Sequence, residues 1–229
     1  MKQNIKIIIP AFNEENAIGK VINDIPKNFA NEIIVVNNAS TDKTASIAKS
    51  AGATVLTESK KGYGKACLTG INYIKNLKEP IDIIIFIDAD YSDFPEEMPI
   101  LIGPIITNNK DLVIGSRALG NRAAGSMTFP QLFGNWLATY LLKIFYKVEY
   151  TDLGPFRAIK WDKLLQLNMQ DKTFGWTVEM QLKAAKLKFK TAEVPVTYRK
   201  RVGISKISGT ITGTIMAGYK IIWTIFKYL

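Results

Sequence analysis

Two aspartates, Asp88 and Asp90, stand two residues apart after a run of isoleucines, in the stretch FIDADYSDFPEE (86–97). On an extended segment the side chains of residues i and i+2 point the same way, so we expect the two carboxylates to lie side by side. Carboxylates are the hard oxygen ligands that suit Mg²⁺ or Mn²⁺, and these ions commonly share phosphate oxygens. Held against a nucleoside diphosphate, such an ion would neutralise the charge of that leaving group. Taken alone, the pair also fits a strand end with solvated acids.

The segments that would position these aspartates alternate between strand and helix over the first half of the chain. Continuous apolar strands are typical of a parallel sheet covered on both faces, and alternation with helices predicts an α/β, doubly wound sheet. Runs rich in β-branched residues predict strands at 5–10, 32–38, 53–58, 81–88 and 111–116. The helices are expected at about 15–25, 42–51, 63–77 and 95–108.

Polar clusters follow three of these strands, namely NEEN (13–16), NNASTD (37–42) and DADYSD (88–93). Ligands of open α/β sheets bind at the carboxyl ends of the strands, so the clusters predict a nucleotide-type site. NNASTD also fits a simple helix N-cap. The basic, glycine-rich loop KKGYGKA (60–66) could approach phosphate or be only a turn. The sequence contains neither the dinucleotide-binding nor the P-loop glycine motif.

The second half of the chain is less regular. Its patterns predict an amphipathic aromatic segment at about 129–148, a helix near 175–187, a strand around 190–198 and a last helix from about 208. The uncharged stretch 123–142 is interrupted by Pro130 and Gly134, which favours a buried or interfacial segment over a membrane span. We find no linker or internal repeat, so we expect one domain over 1–229.

Composition excludes several kinds of site. The 229 residues include no histidine, which removes a histidine base and every imidazole metal site. The single Cys67 excludes an internal disulfide and a cysteine zinc cluster, which fits a reducing cytoplasm. The N-terminus has no signal-peptide pattern, and we take it as the mature start.

Positive charge is concentrated late in the chain. The net charge is +10, and eight Lys or Arg residues against one acid, Glu193, lie between Lys183 and Lys206. Such a run fits a solvated face, an anionic membrane surface, a phosphorylated substrate or nucleic acid. Beyond it, apolar residues recur at helical spacing up to residue 229, which fits either an interfacial anchor or a helix packed on the protein's own core.

Taken in order, the motifs resemble family 2 glycosyltransferases of the GT-A fold. The resemblance covers nearly the whole chain and is greatest to the polyprenyl-phosphate mannosyl- and glucosyltransferases. It rests on IIIPAFNEE (7–15), VVNNASTDKT (35–44), GYGKA (62–66), FIDADYSDFPEE (86–97), IGSR (114–117), DLGPFRAIKW (152–161), FGWTVEMQLKAA (174–185) and EVPVTYRKRVGISKISGT (193–210).

The resemblance implies a nucleotide-sugar-binding half over about 1–117 and an acceptor half over about 118–229. It implies Mg²⁺ or Mn²⁺ as cofactor, with Asp90 on the metal and Asp88 nearer the nucleotide. The donor-binding residues implied are Pro10, Phe12, Glu14, Asn37, Asn38, Lys65, Asp88 and Ala89. The catalytic set implied is Asp88, Asp90, Arg117 and Asp152. The residues implied for the acceptor or its phosphate are Arg117, Glu179, Arg199, Arg201 and Lys206.

Family members of this kind are expected to invert the anomeric carbon by direct displacement. A hydroxyl acceptor needs a general base, for which Asp152 or Glu179 could serve, whereas a phosphate acceptor is already anionic. The missing histidine and the basic segment favour a polyprenyl-phosphate acceptor, and transfer to a saccharide or protein hydroxyl is the alternative. Because Asn37 and Asn38 replace the usual aspartates, the choice between UDP- and GDP-sugars stays open.

Two other classes of protein fit less well. A nucleotidyltransferase would carry a glycine-rich signature near its N-terminus, which PAFNEEN (10–16) does not match. A nucleic-acid-binding module would explain the charge but not acids at three strand ends, so we expect no nucleic-acid partner. The expected partners are a nucleotide sugar, a lipid phosphate, and either the cytoplasmic membrane surface, bound peripherally, or a membrane-anchored protein. The oligomeric state stays open.

Overall fold

The computed structural model describes residues 3–203 and 211–229, which form a seven-stranded sheet with helices on both faces. The strands are β1 (Ile5–Ala11), β2 (Glu32–Asn37), β3 (Thr54–Thr57), β4 (Ile83–Phe86), β5 (Leu112–Ser116), β6 (Arg157–Lys160) and β7 (Thr191–Pro195). The helices are α1 (Ile18–Asp24), α2 (Thr44–Ser50), α3 (Tyr63–Lys75), α4 (Met98–Thr107), α5 (Phe129–Tyr146), α6 (Trp161–Leu167), α7 (Trp176–Lys186) and α8 (Ile211–Lys227).

The sheet is mostly parallel, as predicted, in the order β3-β2-β1-β4-β6-β5-β7. The exception is β6, which runs antiparallel to both of its neighbours, β4 and β5. All five strands predicted in the first half are present, and the four predicted helices follow the first four of them. The short elements β6 and α6 were not predicted, because RAIK and the residues after it offer only a brief apolar pattern between a Gly-Pro pair and charged residues.

Apolar side chains cover both faces of the sheet. On one face Ile8, Ile84 and Phe86 pack with residues of α3, α5, α7 and α8. On the other face Ile7 and Ile85 pack with residues of α1 and α4. Because side chains alternate along each strand, burial on both sides requires the continuous apolar runs seen in the sequence.

The helices α5 and α8 meet near their C-terminal ends. The Tyr146 hydroxyl donates a hydrogen bond of 2.7 Å to the Ile225 carbonyl, and the rings of Phe145 and Phe226 are 5.4 Å apart. On α8, Ile225 is fully buried whereas Tyr219 is 68 % exposed, so the apolar stripe both packs on the core and faces solvent. Within the described ranges, no helix has the length and apolar character needed to cross a bilayer.

The fully buried Arg157 fixes the start of β6 through its guanidinium group. This group donates hydrogen bonds to the carbonyls of Leu153 and Thr177 at 3.0 Å each, and to that of Gly154. Burial lowers the pKa of Arg157 to about 10, which still leaves the group charged at neutral pH. These hydrogen bonds fix the backbone at Leu153 and Gly154, which leads into the antiparallel strand β6.

We predict that Arg157→Met lowers the free energy of unfolding by at least about 2 kcal/mol, because carbonyls in the interior lose their donors. Chemical denaturation would measure the change, with Arg122→Met at an exposed arginine as control. Unchanged or increased stability in Arg157→Met would show that desolvating the cation costs more than its hydrogen bonds contribute.

Candidate active site

A cavity of about 320 Å³ opens at the carboxyl ends of β1 and β4, where the sequence places its acidic clusters. Six of the predicted donor-binding residues line it, together with side chains from the start of α3 and from the loop before α7. The predicted residues in its wall are Pro10, Phe12, Glu14, Asn38, Asp88 and Ala89. We call this space the donor cavity.

The strand β4 ends at Phe86, and the chain turns at residues 89–90 before Tyr91, whose φ is 63°. The expected extended geometry for Asp88 and Asp90 was therefore wrong, although both line the donor cavity. One Asp90 oxygen accepts hydrogen bonds from the Ser92 amide at 3.0 Å and hydroxyl at 2.5 Å. Burial and the neighbouring Asp90 raise the pKa of Asp88 to about 7.

The donor set here fits a divalent cation that takes its other ligands from elsewhere. The Oδ1 atom of Asp88 is buried and has no hydrogen-bond partner among the described residues. The described part of the chain contains no group of three or more acidic or cysteine side chains that could hold a metal ion alone. Two carboxylates would suit Mg²⁺ or Mn²⁺ only if phosphate and water completed the coordination.

A guanidinium group lies among the acids of the donor cavity. Arg201 is 2.6 Å from the Glu14 carboxylate and 3.2 Å from Oδ2 of Asp90. The Val202 amide donates to the Asp90 carbonyl at 2.9 Å, which ties this segment to the acidic turn. Arg201 therefore supplies positive charge where we expected an anion-binding residue.

The two predicted asparagines have different surroundings. The side-chain Nδ2 of Asn38 donates hydrogen bonds to the backbone carbonyls of Glu58 and Lys60 at 3.2 and 2.9 Å. Its side-chain Oδ1 accepts one from the backbone N–H of Gly62 at 2.8 Å. It therefore shapes the loop before α3. The side-chain oxygen of Asn37 instead accepts a hydrogen bond from the backbone N–H of Ser40 at 3.3 Å.

Asn37 and Lys65 do not line the donor cavity, so their predicted contact with the donor finds no support. Sequence analysis missed Lys61, whose Nζ lies 4.6 Å from the centre of the Phe12 ring, and also Tyr63 and Phe174 in the cavity wall. KKGYGKA contains both Lys61 and Tyr63, but a loop motif alone does not show which side chains turn inward.

A second cavity of about 290 Å³ adjoins the first and shares Asp88, Asp90 and Arg201 with it. Its wall runs from Arg117 to the facing residues of α5 and α8, with apolar contributions from Leu153. We call this space the acceptor cavity, because it meets the donor cavity at the paired aspartates.

Arg117 is held in the acceptor cavity by Asp152. Its Nε and Nη2 donate to the two carboxylate oxygens at 2.8 and 2.6 Å, and its amide donates to Oδ2 at 2.8 Å. Burial lowers the pKa of Arg117, but the Asp152 charge outweighs that effect and raises it above the ordinary value. Asp152 is 1 % exposed and lines neither cavity. These contacts give no support to Asp152 as a base, since both oxygens already accept hydrogen bonds from Arg117.

Two other predicted acceptor residues have structural contacts instead. Glu179 is fully buried, where it accepts from the Asp171 amide at 2.7 Å and the Tyr228 hydroxyl at 2.8 Å. Arg199 stacks on Tyr91, 3.4 Å from the ring centre, and donates to that residue's carbonyl. Neither residue lines the donor or the acceptor cavity, and these partners already occupy their polar groups. Lys206 lies outside the described residues.

Comparison with known proteins identifies the family. The model of glycosyl transferase family 2 matches residues 6–167. An uncharacterized glycosyltransferase of Mycobacterium tuberculosis is 31% identical over 216 residues, which cover 93% of this chain and 94% of the relative. This chain belongs to glycosyl transferase family 2.

Other relatives extend the comparison. An undecaprenyl-phosphate mannosyltransferase of Micrococcus luteus is 30% identical over 222 residues, covering 90% of this glycosyltransferase and 88% of the relative. The glucosyl-3-phosphoglycerate synthase of M. tuberculosis, solved with Mn²⁺, UDP and phosphoglyceric acid, superposes with a TM-score of 0.77 at 21% identity. That superposition covers 99% of this chain and 78% of the synthase, and it confirms the expected GT-A fold.

We predict that Asp152→Asn destabilises the glycosyltransferase by about 3 kcal/mol, because the Arg117 charge would stay in the interior without its counter-charge. Chemical denaturation would measure the change. Glu149→Gln is the matched control, since it breaks an ion pair of 2.7 Å with Lys143 that is exposed to solvent. Equal stability of Asp152→Asn and the wild type would contradict a positioning role for Asp152.

Asp93 is 1 % exposed, and neither carboxylate oxygen has a hydrogen-bond partner among the described residues. Burial, with added repulsion from Asp88 and Asp90, raises its pKa well above the ordinary 3.8. The folded state therefore favours the protonated carboxyl of Asp93. As the pH rises above about 4, the unfolded chain ionises this group more readily than the folded protein does, so the free energy of unfolding falls.

We predict that Asp93→Asn is more stable than the wild type at pH 8 and that the difference shrinks towards pH 5. Unfolding free energies measured across this range with a metal chelator present would test it, with Asp162→Asn as an exposed control. A constant difference between variant and wild type at every pH would contradict the raised pKa of Asp93.

Proposed function

We propose that this glycosyltransferase moves a hexose from a UDP- or GDP-sugar to a polyprenyl phosphate at a membrane surface. The observation that carries the proposal is the acceptor cavity, whose wall contains two arginines at one part and mostly apolar residues of α5 and α8 at another. Arg117 and Arg201 lie with Asp88 and Asp90, and residues of α5 and α8 form the rest of the wall with Leu153 and Pro155. A phosphate with a long hydrocarbon tail has the same two parts.

On the donor side, Asp88 and Asp90 would hold Mg²⁺ or Mn²⁺ against the diphosphate, and the ion would supply charge neutralisation at the leaving group. Pro10, Phe12 and Asn38 would border the nucleoside. The use of Mn²⁺ and UDP by the M. tuberculosis synthase supports this assignment by analogy of fold. We assign donor binding mainly to residues 1–117 and acceptor binding to 118–229, although Arg201 lines both cavities.

In the proposed reaction an acceptor phosphate oxygen forms a bond to the anomeric carbon while the bond from that carbon to the diphosphate oxygen breaks. The phosphate is already anionic, so no side chain need remove a proton. This fits the occupied carboxylates of Asp152 and Glu179. Arg117, fixed by Asp152, would orient the acceptor phosphate and offset its charge against that of the diphosphate.

Exposed aromatic side chains support a membrane surface as the place of reaction. Along α5 the rings of Phe133, Trp136 and Tyr140 follow one another at centre distances of 5.7 Å. On α8 the Nζ atoms of Lys220 and Lys227 lie 4.4 and 5.2 Å from the centre of the Trp223 ring. Aromatic rings with lysines beside them are typical of helices that lie in a membrane interface.

We predict that sugar transfer from a UDP- or GDP-sugar requires both a divalent ion and a polyprenyl phosphate. A radiolabelled donor panel with Mg²⁺ or Mn²⁺ would test this, with a short polyprenyl phosphate or a soluble phosphate monoester as acceptor. Transfer only to the soluble monoester would keep the phosphate site and overturn the lipid. Donor binding without transfer to either phosphate would point to a hydroxyl acceptor.

We predict that Asp90→Asn lowers turnover by at least about 100-fold, because an amide holds a divalent cation poorly beside the diphosphate. Mn²⁺ binding in the presence of UDP or GDP, followed by electron paramagnetic resonance, should weaken in parallel. Asp162→Asn is the control for a surface acid. Full turnover in a folded Asp90→Asn variant would remove Asp90 from the metal site.

A further inference from the structure

We propose that Gly134 of α5 and Gly218 of α8 are the positions that admit the hydrocarbon chain of the acceptor between the two helices. This inference rests on the proposed function and names what determines acceptor specificity in the same site. The two glycines line the acceptor cavity from its opposite helical walls. Side chains at these positions would set the width of the groove.

The contacts between α5 and α8 show where the groove closes. Tyr146 and Ile225 join the helices at one end through a hydrogen bond of 2.7 Å. The cavity lies away from this contact, where Gly134 and Asn135 of α5 and Ala217 and Gly218 of α8 all belong to its wall. The helices are thus fixed at their C-terminal ends and leave a space between residues closer to their N-terminal ends.

Neither glycine is required by its own packing. Among the described residues, a Cβ atom added at Gly134 or Gly218 would meet no heavy atom within 4 Å apart from its chain neighbours and the backbone of its own helix, and neither residue has the positive φ that favours glycine. By contrast, a Cβ at Gly64 would lie 2.0 Å from the Asp171 carbonyl oxygen. Glycine inside a helix is less stable than alanine, because it loses more backbone freedom on folding. Gly103 of α4 has the same open space, but of these three glycines only Gly134 and Gly218 line the acceptor cavity.

The chemistry of the cavity indicates the occupant. Arg117 provides a fixed positive charge at the inner end, while Leu153, Pro155 and Ile221 provide apolar walls. Trp176 also lines the cavity, is 1 % exposed and has an indole N–H without an acceptor among the described residues. An anionic head followed by a linear run of isoprene units matches this order, whereas a small phosphate monoester would use only the inner end.

Gly134→Leu and Gly218→Leu should each weaken binding of a short polyprenyl phosphate in detergent micelles by at least about tenfold. Binding of the nucleotide sugar should not change. Gly103→Leu is the matched control, because Gly103 is also a helical glycine with open space around its Cβ but lines neither cavity. Binding of a soluble phosphate monoester should be equal in all four proteins.

A chemical version of the test avoids dependence on how the leucine variants fold. Gly134→Cys would be purified folded and then labelled with a bulky apolar thiol reagent, while the native Cys67 stays protected because it is fully buried. We expect labelling to weaken binding of the polyprenyl phosphate by at least about tenfold relative to the unlabelled Gly134→Cys protein.

The outcomes separate this inference from the function on which it rests. Suppose that the wild type binds the polyprenyl phosphate and that the two leucine variants and the labelled Gly134→Cys protein bind it equally well. The role given to Gly134 and Gly218 is then wrong, and the assignment of the acceptor stands. If the wild type does not bind it, both are overturned. Loss of soluble phosphate binding in the leucine variants would also overturn the inference, since it would place the disturbance at the inner end.

Discussion

The buried ion pair between Arg117 and Asp152 is the interaction on which the site depends. Asp152 is held by its backbone as well as its carboxylate, because its amide donates to Glu193 at 3.1 Å and its carbonyl accepts from Gln181 at 2.9 Å. The pair therefore joins the end of β5 to β7 and α7. A buried charge needs such a partner, and the partner here also fixes the direction of the guanidinium group. The positive charge thus faces the paired aspartates from a fixed position.

A second feature is the balance of charge where the two cavities meet. Asp88 and Asp90 belong to both cavities, and Arg201 lies between Glu14 and Asp90. The protein carries a net charge of +10, yet its cavities concentrate acids at the carboxyl ends of the strands. Cations from distant parts of the chain offset them, which is why the late basic segment is not simply a solvated face.

Much of the fold follows from the sequence, because continuous apolar strands with short helices between them leave few alternatives to a doubly wound sheet. The same logic placed the polar clusters at one edge of the sheet, and the family resemblance supplied six of the residues that line the donor cavity. It missed β6, whose first residue is a charged side chain that the fold buries completely. A pattern of polarity alone would assign Arg157 to solvent.

The errors in the site have a common physical cause. The sequence shows that Asp152, Glu179 and Arg199 are charged, but not which partners they have in the fold. Asp152 pairs with Arg117, Glu179 accepts a hydrogen bond from Tyr228, and Arg199 donates one to the carbonyl of Asp93. Because these partners are distant in sequence, only the fold shows that the three charged groups are already engaged. The turn at Asp90 is a similar case, since the end of a strand is set by tertiary contacts as much as by local preference.

The central claim is that a phosphate, not a hydroxyl, receives the sugar. The most direct measurement compares transfer to a polyprenyl phosphate with transfer to the polyprenol of equal length, using the same nucleotide sugar and metal ion. Our account predicts product only from the phosphate, because it assigns the two carboxylates of the acceptor cavity, Asp88 and Asp90, to the metal ion and Arg117 to an anion. Comparable transfer to the polyprenol would contradict it.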